Sequence, residues 1–217
     1  MSRNIEIAVF DLAGTTVKET GLVESAIRSI SGDAFDAEAF HASRGGSKRD
    51  MLVQMLGEHA ADDALAHFDD ALIDGIQAGR LTPLPHAEQA FTDLRRAGIK
   101  VVLITGFSER VQRTILDRFG WHDLVDLAVS PGGSVRGRPY PDLILTAALA
   151  LHATSVSSVA VVGDTYNDAA AAVRAGSGIC AVVLTGAHDR SKLAASPATH
   201  ILDNVGDFAA LVLQEQA

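Results

Sequence analysis

The sequence predicts an α/β fold in which a parallel sheet forms the core and a set of helices is inserted after the first strand. Six short apolar segments, rich in Val and Ile and mostly without polar–apolar alternation, occur at residues 5–10, 100–104, 125–129, 159–162, 179–184 and 200–202. Strands that are buried on both faces have this pattern. Segments with helical periodicity separate the later strands, and this alternation is typical of a parallel sheet.

The helices of the alternating part are predicted at residues 86–97, 109–119, 139–151, 168–175 and 207–214. Gly98, Gly120 and Gly176 follow three of them directly. A glycine at this position can adopt the left-handed conformation that ends a helix, so the three boundaries are well marked.

The pattern changes between residues 16 and 80. Four segments there have helical periodicity (23–30, 36–43, 47–59 and 62–77), and no strand is predicted among them. Pro83 and Pro85 then interrupt both helix and sheet pairing. We therefore expect a core domain formed by residues 1–15 and 85–217, interrupted by an all-helical domain of residues 16–84.

Composition excludes several classes of function for this chain of 217 residues. With 27 acidic and 18 basic residues, the net charge is −9 and the pI about 5.2, so we expect no binding to nucleic acid or to an anionic membrane. The sequence has neither an apolar stretch near the ~20 residues of a membrane helix nor a signal-peptide pattern, which predicts a cytoplasmic protein. One cysteine, Cys180, rules out a disulfide framework.

Polar residues follow four of the predicted strands, at the sheet edge where ligands bind in open parallel sheets. Asp11 and Asp164 end two different strands, so both carboxylates can converge on one point. Their mutual repulsion predicts a bound Mg²⁺, a hard cation that prefers oxygen ligands. The carbonyl of Ala13 is a candidate further ligand, and Asp168 a candidate supporting residue at the metal.

The other strand ends offer groups for an anionic oxygen. Thr105 carries a hydroxyl, Gly106 has an unobstructed backbone N–H, and Arg138 carries a positive charge. Together with a carboxylate nucleophile and a metal, they are the groups needed for phosphoryl transfer through an aspartyl-phosphate intermediate.

In combination, these motifs resemble the haloacid dehalogenase superfamily of hydrolases. They are Asp-x-x-Gly-Thr at residues 11–15, Thr105 directly after the second strand, Arg138 in Gly-Arg-Pro-Tyr-Pro, and Gly-Asp-Thr-x-x-Asp at residues 163–168. The resemblance covers essentially the whole chain. It implies a Rossmann-like core, a helical cap that closes over the site, Asp11 as nucleophile, and substrate contacts from the residues around the first two strand ends: Ala13, Gly14, Thr15, Gly106 and Phe107.

One departure from the superfamily's phosphatases concerns Ala13. Those phosphatases usually carry a second Asp there, which acts as general acid and base. Loss of such a residue typically lowers the rate of ester hydrolysis by ~100- to 10,000-fold. The Asp-x-Ala-Gly-Thr-Thr run resembles instead the phosphonatase branch, the phosphonoacetaldehyde hydrolases. Cleavage of a carbon–phosphorus bond needs no proton on a leaving oxygen, but it needs a lysine that converts the aldehyde to an iminium.

Lys48 is the candidate for this lysine. Ser47 and Asp50 approximate a capping box that places Lys48 in the first turn of a helix. The helix end, the neighbouring Arg49 and burial under a closed cap would all lower its pKa, and Arg49 is also a candidate substrate contact. The phosphonatase cap loop has a similar Gly-x-x-Lys-x-Asp pattern, although Met51 stands where that branch carries a histidine.

The sequence is therefore compatible with three functions. The first is a Mg²⁺-dependent hydrolase of a small phosphonate, phosphonoacetaldehyde or a close analogue, in which Lys48 forms an imine. The second is a phosphatase for a small phosphomonoester, with Lys48 as a substrate-binding residue. The third is a scaffold that binds a phosphorylated ligand without turnover. The resemblance to phosphonatases also implies a possible homodimer through the cap.

Overall fold

The computed structural model describes residues 4–216 and contains a six-stranded parallel sheet in the order β5-β4-β1-β6-β7-β8. Its strands are β1 (Ile7–Asp11), β4 (Lys100–Ile104), β5 (Leu127–Val129), β6 (Val159–Gly163), β7 (Ile179–Val183) and β8 (His200–Leu202). All five neighbouring pairs are parallel. The six predicted strands are confirmed, and β1 lies between β4 and β6, which places Asp11 beside the ends of both.

Helices cover both faces of this sheet. They are α5 (Ala87–Arg96), α6 (Glu109–Phe119), α7 (Asp142–Ala150), α8 (Tyr166–Ala175), α9 (Arg190–Ala194) and α10 (Val205–Glu215). On one face the ring of Phe10 makes edge-on contacts with Phe91 of α5 and Phe208 of α10, at centroid distances of 5.1 and 5.2 Å. On the other face Val9 packs in a cluster with Ile144 of α7 and Ala169 of α8. The central strand is therefore buried on both sides, as its unalternating sequence predicts.

The inserted segment contains four helices and, at its two ends, a strand pair that the sequence did not predict. The helices are α1 (Leu22–Ser31), α2 (Ala37–Ala42), α3 (Lys48–Leu56) and α4 (Glu58–Gln77), and the strands are β2 (Val17–Glu19) and β3 (Leu81–Pro83). The expectation that residues 16–84 are all helical was wrong at both ends. Pro83 pairs with Val17 in a two-stranded antiparallel ribbon, where an edge position tolerates a residue without an N–H.

The cap formed by α1–α4 lies closed against the core. The backbone N–H of Lys48 donates to the carbonyl of Gly106 at 3.0 Å, and the Ser108 hydroxyl donates to Asp69 of α4 at 2.6 Å. No helix within residues 4–216 has both the length and the apolar character needed to cross a membrane.

Candidate active site

Five of the side chains predicted from strand-end motifs converge at the carboxyl edge of the sheet. They are Asp11, Thr105, Arg138, Asp164 and Asp168, and each is at most 4% exposed. The carboxylate oxygens of the three aspartates lie within 4.8 Å of one another. The parallel order of β4, β1 and β6 brings their ends together, so residues more than 150 positions apart share one site.

Arg138 lies between two of these carboxylates. Its Nη1 donates to Oδ1 of Asp11 at 2.5 Å and is also paired with Asp168. Asp168 is in turn held by the first turn of α8, where it forms a reciprocal capping box with Thr165. The Nε of Arg138 is buried and has no hydrogen-bond partner among the described residues, so a donor is free for an anionic oxygen.

The electrostatics of the site show an excess of buried negative charge. Burial raises the pKa of Asp11 to about 6, although the positive charge of Arg138 opposes the shift. Burial, together with repulsion from Asp11, raises the pKa of Asp164 well above its usual value. A single arginine therefore does not balance three carboxylates in this water-poor environment.

The donor set fits a magnesium ion. Mg²⁺ is usually held by one or two carboxylates, and Asp11 and Asp164 present theirs in the same buried pocket, with Ala13 beside them in its lining. Gly14, at φ +87°, passes so close to the Asp164 carboxylate that a Cβ would collide with it. The backbone N–H of Ala187 donates to Oδ2 of Asp164 at 2.6 Å and fixes its orientation.

The groups predicted for the phosphoryl oxygens line the same cavity, whose volume is about 210 Å³. The hydroxyl of Thr105 accepts a hydrogen bond from the N–H of Phe107 at 3.1 Å. Gly106 meets the cap loop so closely that a Cβ on it would collide with the carbonyl of Gly46. The cavity is lined by nine of the predicted site residues: Asp11, Ala13, Gly14, Lys48, Thr105, Gly106, Phe107, Arg138 and Asp164. Thr15 is not in the lining; its hydroxyl lies 3.5 Å from Oδ2 of Asp11.

Lys48 is the first residue of α3, and the predicted cap at Ser47 is confirmed because its side chain accepts from the N–H of Asp50. The lysine is 7% exposed; its Nζ donates to the carbonyl of Gly46 at 3.2 Å and lies 5.6 Å from the Phe107 ring centroid. Burial, followed by the charge of Arg138, lowers the pKa of Lys48 to about 8.

Arg49 does not lie where the sequence suggested. Its guanidinium points away from the cavity and pairs with Glu58 and Asp62 at 2.8 and 2.7 Å. Successive residues of a helix are rotated by about 100°, so Arg49 faces outward when Lys48 faces inward. It neither lines the cavity nor accounts for the lowered pKa of Lys48, to which Arg138 and Arg44 contribute instead.

The cavity also contains residues that the motifs did not single out. The cap and the ribbon supply Lys18, Glu19, Val23, Phe40, Arg44 and Met51 to its lining. Thr185, Gly186 and Ala187, which follow β7, line it as well, whereas Nδ1 of His188 accepts from the N–H of Tyr166 outside it. The one sequence signal for Arg44 was its place directly before the Gly45–Gly46 pair of the cap loop.

Comparison with known proteins agrees with this geometry. A family model described as haloacid dehalogenase-like hydrolase matches residues 5–176. The chain is 30% identical, over 137 residues, to a bifunctional phosphonoacetaldehyde hydrolase/aminoethylphosphonate transaminase of Clostridioides difficile, covering 62% of this chain and 21% of that protein. It is 32% identical, over 111 residues, to a phosphonoacetaldehyde hydrolase of Lysinibacillus sphaericus, covering 50% of this chain and 41% of that protein.

The fold is shared with a hydrolase from Pseudomonas syringae, whose crystal structure has a TM-score of 0.83 at 21% identity and covers 98% of this chain and 99% of that one. The matched stretches span less than half of either curated relative, so those proteins' activities are not transferred by similarity alone. The family match, in contrast, includes β1, the whole cap and the helix that carries Asp168. The chain belongs to the haloacid dehalogenase-like hydrolases.

Proposed function

We propose that this hydrolase cleaves the carbon–phosphorus bond of phosphonoacetaldehyde or a close analogue, with Asp11 as nucleophile and Lys48 as the imine-forming lysine. The observation that carries the proposal is that Lys48 and Asp11 line one cavity, in which the lysine is buried and forms no ion pair among the described residues. The two curated relatives, both named for phosphonoacetaldehyde hydrolysis, support it.

Lys48 acts first. Its pKa of about 8 leaves part of the amine neutral near pH 7, and only the neutral amine attacks a carbonyl. Attack on the aldehyde, with loss of water, gives an iminium next to the carbon that bears phosphorus. The iminium can accept an electron pair, so the carbon–phosphorus bond becomes breakable without a proton on the leaving group.

Asp11 acts second. Its carboxylate attacks phosphorus, the carbon–phosphorus bond breaks, and the bonding pair moves into the iminium to give an enamine. Protonation of the enamine carbon and hydrolysis of the resulting iminium release acetaldehyde and free Lys48. Water then hydrolyses the aspartyl phosphate, so the net reaction consumes one water and yields acetaldehyde and phosphate.

The remaining residues orient the substrate and offset charge. Arg138 already contacts Asp11, and its free Nε can donate to a phosphoryl oxygen. Asp11 and Asp164, with the Ala13 carbonyl, would hold Mg²⁺, which when bound neutralises the phosphoryl oxygens and keeps Asp11 ionised. Ala13 places no acid near the leaving group, and this mechanism requires none.

A phosphatase acting on a small phosphomonoester is the second candidate, favoured by one observation. Met51, 2% exposed, lines the cavity three residues after Lys48 and offers no proton donor for imine formation. In this alternative the Lys48 ammonium binds a substrate oxygen, and the nucleophile and the metal site are unchanged.

Reductive trapping tests the proposal. With phosphonoacetaldehyde and borohydride, we expect irreversible inactivation and a mass increase located on Lys48. Lys48→Arg should be neither labelled nor active. Lys100→Arg is the control: Lys100 is an exposed lysine at the start of β4, paired with Asp126, and this variant should be labelled normally. Faster phosphate release from p-nitrophenyl phosphate than from phosphonoacetaldehyde, without labelling, would favour the phosphatase.

A further inference from the structure

We infer that Arg44 is a specificity-determining residue that binds a carboxylate carried by the substrate. The inference rests on the proposed function and narrows it: the preferred substrate is an oxo-phosphonate whose carbonyl also bears a carboxylate. Nothing in the strand-end motifs assigns a role to this arginine, which enters the site from the cap.

Arg44 is held in place at the junction of cap and core. Its backbone carbonyl accepts a hydrogen bond from the Asn167 side chain of α8 at 2.7 Å, which fixes the loop that carries it. Its guanidinium carbon lies 5.1 Å from the centroid of the Phe40 ring. The side chain lines the same cavity as Lys48 and Asp11.

The guanidinium of Arg44 lacks the partners that neighbouring arginines have. Arg28 pairs with Glu24 at 2.9 Å, and Arg49 pairs with two carboxylates. For Arg44, in contrast, residues 4–216 provide no ion pair, and its Nε is buried without a hydrogen-bond partner. A buried donor of a charged group is costly to leave unsatisfied, and a planar guanidinium pairs well with a carboxylate or a phosphoryl group. The phosphoryl group already has Arg138 beside the proposed nucleophile, so a carboxylate is the group left for Arg44.

The nearest charged groups in the lining do not already serve this purpose. Glu19 is the lining carboxylate that comes from the ribbon, and its Oε1 accepts from the N–H of Val23 at 2.7 Å, at the start of α1. Asp11 and Asp164 lie at the sheet edge, where Arg138 is their positive partner. Four cationic side chains line the cavity. Arg138 contacts the proposed nucleophile, Lys48 is the proposed imine-forming lysine and Lys18 is exposed, so Arg44 is the guanidinium left for a second anionic group.

A substrate that matches both positions has phosphorus at one end, a carboxylate at the other and a carbonyl between them. Cleavage through an enamine also requires one carbon between the carbonyl and phosphorus, and 3-phosphonopyruvate is the smallest molecule with all of these groups. Lys48 would form an iminium at the ketone with loss of water. Attack of Asp11 on phosphorus would break the carbon–phosphorus bond, and its electron pair would form the enamine of pyruvate. Protonation at carbon and two hydrolyses give pyruvate, phosphate, free Lys48 and free Asp11, with a net use of one water.

Ligands that cannot react separate binding from turnover. 3-Phosphonopropionate has its carboxylate as many bonds from phosphorus as 3-phosphonopyruvate has, but it lacks the ketone. Propylphosphonate lacks both the ketone and the carboxylate. By calorimetry with Mg²⁺ present, we expect wild type to bind 3-phosphonopropionate about tenfold or more tightly than propylphosphonate, as a charge-assisted pair predicts. Arg44→Met should abolish the preference, Arg44→Lys should retain part of it, and Arg28→Met, a cap arginine also placed over a phenylalanine ring, should leave it unchanged.

The outcomes distinguish this inference from the proposed function. No preference in wild type, or equal weakening of both ligands in Arg44→Met, would overturn it, because Arg44 would then bind the phosphonyl group or nothing. In turnover, 3-phosphonopyruvate should exceed phosphonoacetaldehyde in kcat/KM for wild type and lose that advantage in Arg44→Met. An enzyme that cleaves neither phosphonate but keeps the Arg44-dependent binding preference would contradict the proposed function and support the carboxylate site.

Discussion

The backbone N–H of Lys48 donates a 3.0 Å hydrogen bond to the carbonyl oxygen of Gly106, which joins the cap loop directly to the core loop that follows β4. Gly106 permits this approach because it has no side chain: a Cβ would collide with the carbonyl of Gly46. Closure of the cap and placement of the lysine amine therefore depend on the same two backbone segments.

Gly106→Ala should consequently impair catalysis more than folding. The added methyl would displace the loop that carries Lys48, and a displacement of about 1 Å can cost roughly 100-fold in rate. We expect kcat/KM to fall by about that factor, with an unfolding temperature close to that of Gly206→Ala, a change in α10 outside the cavity. Full activity in Gly106→Ala would show that this contact is not needed.

Mg²⁺ should stabilise the folded protein, because three buried carboxylates face one arginine. A ligand at 100 times its Kd stabilises by about 2.7 kcal/mol, which corresponds to roughly 5–10 °C for a chain of this size. Thermal unfolding with MgCl₂, compared with NaCl of equal ionic strength, measures the effect. The shift should disappear in Asp164→Asn and persist in Asp203→Asn, an exposed carboxylate paired with Arg190; equal shifts in both variants would exclude Asp164 as a ligand.

The pH dependence of imine trapping should follow Lys48. With a pKa of about 8, roughly a tenth of the amine is neutral at pH 7 and about nine-tenths at pH 9, whereas an ordinary lysine is almost wholly protonated at both. The initial rate of cyanoborohydride inactivation with phosphonoacetaldehyde should rise through pH 8 and level off above pH 9.

The positive charge of Arg44 provides a second test of the Lys48 titration. Arg44 lowers the pKa of Lys48, so Arg44→Met should move the midpoint of the trapping profile upward. A wild-type midpoint near pH 10 would mean that the amine is not desolvated as the closed cavity implies.

Ala13→Asp should convert the site toward ester hydrolysis. Ala13 lines the cavity two residues after the nucleophile, where a carboxyl group could protonate a leaving alkoxide. We expect the hydrolysis of an alkyl phosphate such as 2-hydroxyethyl phosphate to rise by about 100-fold, the low end of what general acid catalysis supplies. Ala13→Asn has the same size without the acid and should give no gain; equal rates in the two variants would contradict this role for position 13.

The sequence was sufficient to predict the sheet and the groups at its edge. Six apolar runs became the six strands, and parallel pairing brought Asp11, Asp164 and Asp168 together because the residues following such strands share one edge. Lys48 was predictable for a different reason: Ser47 caps a helix at a definable residue, which fixes the start of α3.

Other features depended on distant contacts. The β2–β3 ribbon pairs strands that are about 60 positions apart. Each strand has three residues, too few to show a periodicity, and Pro83 at the end of β3 argued against a strand there. The outward position of Arg49 depends on the direction in which α3 faces the core, and no local pattern contains that information. Arg44 was not predicted, because it lies in a loop before α3. The homodimer through the cap stays a prediction.

The ribbon also connects the motion of the cap to the chemistry of the site. The N–H of Gly14, in the turn that carries Ala13, donates to the carbonyl of Val17 at 2.8 Å, and Val17 is the first residue of β2. The two segments that connect the core to the cap are paired with each other, so we expect a rotation of the cap to shift the turn whose Ala13 carbonyl is the proposed metal ligand. Substrate entry and the affinity for Mg²⁺ would then change together, and the enzyme would assemble its metal site fully only when the cap has closed.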